Sequence, residues 1–163
     1  MHIAHNLMCL RKRTFNKSIQ GTIMKKLSFI LAALLSVSAF SANADVATAQ
    51  KLADKYAVIA KNINPASTGL SAEDGKNFFN RELTIKGKQV ACASCHTANP
   101  ADNGKHIVTS KPIRPLAPAA NEKRFTSVDT VEKNFTKHCN DIIGRDCTAQ
   151  EKGNFIAYLL TVK

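Results

Sequence analysis

Ala91-Cys-Ala-Ser-Cys-His96 sets two thiols, Cys92 and Cys95, around a two-residue gap, with an imidazole on the next residue. Thiols at this spacing can add across the two vinyl groups of one porphyrin. The histidine that follows then lies under the iron. The pattern is that of c-type haem attachment, with Cys92 and Cys95 as covalent anchors and His96 as an axial iron ligand. Two other uses of paired cysteines fit less well. A thioredoxin-like redox motif belongs in a βαβ setting, and none is visible here. A four-cysteine zinc site wants a second tight pair, whereas Cys139 and Cys147 are eight positions apart.

Upstream of the motif, residues 24–44 read Met-Lys-Lys, an apolar run from Leu27 to Phe40, and Ser-Ala-Asn-Ala. A charged start, an apolar stretch and an Ala42-x-Ala44 end are the three parts of a secretory leader. The apolar run is too short for a membrane span, which needs about 20 residues. Cleavage after Ala44 leaves a single domain over 45–163. Residues 1–23 read as a prefix, either an artefact with Met24 as the true start or a long basic n-region. The whole chain carries 23 Lys+Arg against 12 Asp+Glu, net +11. The leader and prefix take six of those cations and no acid, so the domain keeps 17 against 12, net +5. No Lys/Arg cluster interleaved with aromatics is left to argue for nucleic acid. Also lost are Cys9 and every methionine (Met1, Met8, Met24), which leaves four cysteines and no Met.

The domain reads as all-α, with at most one small β-hairpin. Val46, Ala49, Ala53, Tyr56, Ala60 and Ile63 recur at helical spacing, and Asn64-Pro65 ends that helix. A short helix starts at Ser71, with Ser71 and Asp74 at its first turn, and buries Phe78 and Phe79. Leu83–Val90 carries a turn signal at Lys86-Gly87 and predicts the hairpin. Residues 97–124 hold Pro100, Pro112, Pro115 and Pro118 and read as an irregular loop wrapped around something other than itself. Ser127 caps a helix that puts Val131, Phe135 and His138 on one face. Thr148-x-x-Glu151 is a capping box, and Phe155, Tyr158, Leu159 and Val162 form the stripe of the last helix.

With no Met in the domain, His–Met ligation of the iron is excluded. The remaining strong-field candidates are His106 and His138, with a Lys ligand or an open position as alternatives. His106 sits ten residues after His96 in the loop and reads as solvent-exposed or propionate-side. His138 shares an apolar helical face and points where the core lies, so it is the favoured second ligand. Cys139 and Cys147 are the thiols left over in an exported chain, and a disulfide between them is the economical reading. Such a ring fixes the helix end beside His138 and serves equally as a plain staple. Arg114, Lys123 and Arg124 are candidate propionate contacts, because a guanidinium fork suits a carboxylate.

The chain resembles the class I cytochromes c in Gly75-x-x-x-Phe79, the attachment motif and Asn154-Phe-Ile-Ala-Tyr-Leu-Leu160. That resemblance implies a fold whose first and last helices cross at a glycine beside an aromatic residue, with Gly75 and Tyr158 as candidates. Lys137–Cys147, Pro115–Pro118 and Lys123–Thr126 resemble, more narrowly, the cytochrome c'' group of methylotrophic bacteria. There the position of His138 is the second axial ligand, which leaves the iron on reduction, and the positions of Cys139 and Cys147 form a disulfide. The sphaeroides haem protein group resembles the same stretch but carries Asn at the position of His138, and its reduced form binds oxygen.

One covalent haem c is therefore expected. The expected function is electron transfer in the periplasm by a monomer, with bis-His ferric iron and release of His138 on reduction coupled to proton uptake. Small-ligand binding, or a plain bis-His carrier without release, are the alternatives. The net charge suggests redox partner proteins with acidic docking surfaces, and neither nucleic acid nor stable membrane insertion is implied.

Overall fold

The computed structural model describes residues 40–163; the expected prefix, 1–23, and residues 24–39 of the expected leader lie outside the described residues. Helix α1, Phe40–Ile63, begins within the expected leader and runs to the Asn64-Pro65 stop, where the Asn64 N–H donates to the Ala60 carbonyl at 2.8 Å. Its buried face is Asp45, Ala49, Leu52, Ala53, Tyr56 and Ala60. Val46 and Ile63 fall off that face, at 36% and 75% exposure. The apolar repeat therefore set the helix correctly but placed its two ends one step out of phase.

Helix α2, Ala72–Asn80, starts where Ser71 Oγ accepts the Asp74 N–H at 3.0 Å. Phe79 is fully buried, and Phe78 is only half-buried. Strands β1, Leu83–Ile85, and β2, Lys88–Val90, pair antiparallel with Leu83 opposite Val90. Lys86 (φ 49°) and Gly87 (φ 75°) both take positive φ, as a primed two-residue hairpin turn demands. Helix α3, Ala93–His96, is a single turn. The proline-rich loop is not wholly irregular: β3, Gly104–Lys105, and β4, Pro112–Ile113, form a short antiparallel ribbon within it. Ribbon pairing of two residues a side is too short to leave an alternating pattern in the sequence.

Helix α4, Val128–Ile143, is capped by Ser127, whose Oγ accepts the Thr130 N–H at 3.2 Å, and ends at Gly144 in the left-handed region. Helix α5, Ala149–Thr161, opens with the Thr148/Glu151 capping box, both of its hydrogen bonds made. Its buried residues include Gly153, Asn154 and Ile156 as well as Tyr158 and Leu159, while Phe155 and Val162 are half-buried.

Helix α5 packs against both α1 and α2, and two glycines permit the approach. A Cβ on Gly75 would collide with the Asn154 carbonyl and stand 2.9 Å from Tyr158 Cβ. One on Gly153 would stand 3.2 Å from Tyr56 Cβ and press on Leu70. Around these crossings Phe79, Ile156 and Leu159 are fully enclosed, each contributing about 1.5–3 kcal/mol from burial. Tyr56, Phe135 and Phe155 continue the core in edge-to-face contacts, at 6.1 Å and 5.9 Å between centroids. Lys152 ties α5 to α1 and α4: its Nζ lies 5.5 Å from the rings of Tyr56 and Phe135 and 3.1 Å from Glu132. The architecture is the expected all-α one, mostly helical with two short ribbons. Among the described residues no helix is long and apolar enough to cross a membrane.

Candidate haem site

The α3 turn gathers the motif. Cys92 is its N-cap position, and its carbonyl accepts the N–H groups of Cys95 and His96 at 3.3 Å and 3.1 Å. Ser94 Oγ accepts the Ala91 N–H at 2.9 Å and tightens the entry. Behind the turn Gly104 presses on the backbone; a Cβ there would collide with the Cys95 carbonyl and stand 3.0 Å from His96 Cα. Gly104 is a site residue that sequence reading passed over, since a lone glycine in a polar loop has no local pattern to mark it.

Cys92, Cys95 and His96 all open onto one cavity of about 500 Å³. Its walls are apolar, drawn from the hairpin, the loop, α4 and α5 through residues such as Val90, Leu116, Phe135, Ile142 and Leu159. Neither Cys92 nor Cys95 is paired with another sulfur. Burial pushes the Cys92 thiol up.

His138 stands on the opposite wall, carried by α4. The rings of His96 and His138 are 6.4 Å apart between centroids, and their planes cross at 87°. A metal–nitrogen bond of about 2.0 Å on each side, plus the half-width of each ring, fills that gap with one metal ion. Burial, then the Arg124 charge and His138, hold the His96 imidazole down to about 4, so it is neutral and able to ligate. His138 is also shifted down, mainly by burial and then by Lys137; Asp141 acts in the opposite sense. Two thiols, two facing imidazoles and an apolar slot between them fit a covalently held haem.

His106 lines the same cavity but is otherwise engaged. Its Nδ1 accepts the N–H groups of Val108 and Thr109, both at 3.2 Å, which fixes the turn between β3 and β4. Cys139 and Cys147 are joined in a disulfide, with Cα atoms 5.6 Å apart, one residue beyond His138. The candidate propionate residues separate. Arg124 lines the cavity, half-buried, with Nε and Nη2 donating to the carbonyls of Arg114 and Pro115 at 2.9–3.1 Å. Arg114 and Lys123 line a neighbouring surface hollow instead. Asn154, which the sequence marks only as the start of the last-helix motif, gains a role here: its Oδ1 accepts from the Ser71 N–H and from Gln150, pinning α2 to α5.

Residues 65–159 match a protein-family model described as a domain of unknown function, DUF1924. Cytochrome c'' of Methylophilus methylotrophus is 56% identical over 137 residues, 83% of this chain and 95% of the relative. The chain belongs to the cytochrome c'' family. The crystal structure of that oxidised protein shares 60% identity and a TM-score of 0.70, covering 73% of this chain and 98% of the solved one. A solution structure of the same relative addresses haem-ligand detachment, with a TM-score of 0.66 and 61% identity over 72% of this chain and 95% of the solved one. The cytochrome c-type protein SHP of Cereibacter sphaeroides is 39% identical over 58% of this chain and 73% of the relative. Its oxidised structure, that of an oxygen-binding cytochrome c, has a TM-score of 0.60 at 35% identity, over 68% and 94% of the two chains. As a family member the chain is a monohaem c-type cytochrome with one covalent haem c.

Proposed function

We propose that this cytochrome is a periplasmic electron carrier whose second axial ligand, His138, leaves the iron on reduction and takes up a proton. Covalent haem supplies the one-electron couple. Cys92 and Cys95 hold it, His96 stays on the iron as the fixed ligand, and His138 is the ligand that moves. The observation that carries this reading is the facing pair His96 and His138, 6.4 Å apart across the cavity.

The two imidazoles are held differently. His96 belongs to a one-turn helix braced from behind by Gly104. His138 sits near the C-terminal end of a long helix, on a wall open to the cavity and to solvent. A released imidazole titrates near neutral pH, so electron uptake draws a proton with it. Linkage makes the effect reciprocal: acid favours the reduced, detached form. Within the coupled window the potential should fall by about 59 mV per pH unit. The leader reading puts the protein outside the cytoplasm, and the five net positive charges favour acidic docking surfaces on redox partners. We read it as a monomer that does not bind nucleic acid and is not itself an enzyme.

Visible spectra of the oxidised and dithionite-reduced protein from pH 5 to 9 test the proposal. Low-spin ferric turning high-spin ferrous is the expected result, with His138→Ala high-spin in both states. Low-spin spectra in both states would leave a plain bis-His carrier. A second reading has support in the oxygen-binding relative. Once His138 is released, the reduced site can take a diatomic ligand, which carbon monoxide titration of the reduced protein reads directly.

A further inference from the structure

Asp45 is 2% exposed, and one of its carboxylate oxygens lacks a partner. Oδ1 accepts the Phe125 N–H at 2.8 Å, and Oδ2 is buried with no hydrogen bond among the described residues. A buried carboxylate oxygen without a donor is costly. The charged groups around it do not solve the problem. Arg124 is near enough to be felt but spends its Nε and Nη2 on the carbonyls of Arg114 and Pro115, and Glu122 adds a like charge. The Asp45 carboxyl is accordingly held above its usual range, chiefly by burial. The contact matters to the site because Phe125 and Arg124 both line the haem cavity.

Within the described α1 helix the nitrogen of residue 45 is an uncharged amide. We propose that removal of the leader after Ala44 supplies the missing partner of Asp45 Oδ2, the α-ammonium of Asp45 itself, and so locks the start of α1 onto Phe125. This rests on the leader reading above. Hydrolysis of the Ala44–Asp45 amide by a leader-cleaving protease consumes one water. It leaves a carboxylate on Ala44 and, at neutral pH, an ammonium on Asp45. The same cut makes Asp45 the first residue of α1, where an acidic side chain complements the exposed N–H groups of the first turn.

The test uses the haem-loaded protein purified after export. Intact mass gives the first residue. Acylation at pH 7, mapped by peptide mass, then gives the reactivity of its α-amine, natively and in urea. The expected chain begins at Asp45, and its α-amine reacts about tenfold more slowly natively than in urea, because an ion-paired ammonium gives up its proton less readily. Asp45→Asn keeps an acceptor for the Phe125 N–H and should restore the faster reaction. A chain that begins elsewhere overturns the leader reading and the proposal together. A chain that begins at Asp45 but reacts equally fast natively and in urea overturns the proposal alone, and so does an Asn variant as slow as the wild type. Should that variant fail to fold, the pH profile of wild-type labelling decides, and an ordinary α-amine midpoint overturns the proposal.

Discussion

His96 and His138 stand with ring centroids 6.4 Å apart and planes at 87°, although 42 positions of chain separate them. One imidazole comes from a braced single turn and the other from a helix arm. The arm is steadied on its far side by the Cys139–Cys147 ring and by Gly144, whose N–H returns to the Asn140 carbonyl at 3.2 Å. The pairing therefore depends on how firmly α4 is held.

Removing the disulfide should loosen that hold. A nine-residue ring contributes about 2.5 kcal/mol, less than the about 3 kcal/mol of a 15-residue loop. The Cys139→Ser/Cys147→Ser double variant should lose that much in urea unfolding. It should also show part of its ferric iron high-spin at a temperature where the wild type is fully low-spin.

His106→Ala should leave the ferric spectrum unchanged. The His106 Nδ1 is committed to Val108 and Thr109 in the β3–β4 turn. Its removal frees that turn without touching the iron. Electron paramagnetic resonance reads the outcome, and a high-spin ferric signal in this variant would reassign the second ligand to His106.

Gly75→Ala should destabilise the protein by about 3 kcal/mol, because the added methyl meets backbone rather than a flexible side chain. Urea unfolding of the holoprotein measures it. A loss near zero would mean that α2 and α5 can part at this crossing without cost.

Acid stability should depend on Glu151. Hydrogen bonds from Arg145 at its guanidinium, then the Thr148 N–H of the capping box, hold its carboxyl down to about 2 from an ordinary 4.5. A depressed carboxyl contributes stability that is fully present above about 4.5 and is lost as pH falls toward 2. Glu151→Gln should be less stable than the wild type at pH 7. The two thermal midpoints should converge as the pH is lowered from 4.5 to 2. Parallel curves through that window would assign the stabilisation to packing instead.

Much of this protein was legible in its sequence because the relevant signals are local. The Cys92–His96 spacing specifies its own chemistry. Ser71, Ser127 and Thr148 cap helices through bonds that reach only three residues. Lys86-Gly87 turns a hairpin by backbone conformation alone. The absence of Met from 45–163 by itself narrows the second ligand. What only the tertiary structure decided lies between distant segments. The separation of His96 and His138, the close packing of Gly104 behind the haem turn and the bonds of Asn154 to Ser71 all join parts of the chain that carry no pattern in common. So does the half-satisfied Asp45 carboxylate against Phe125. Capping and turn chemistry act within one turn of chain. Close packing and buried polar satisfaction exist only once water has been excluded between elements that the fold brings together.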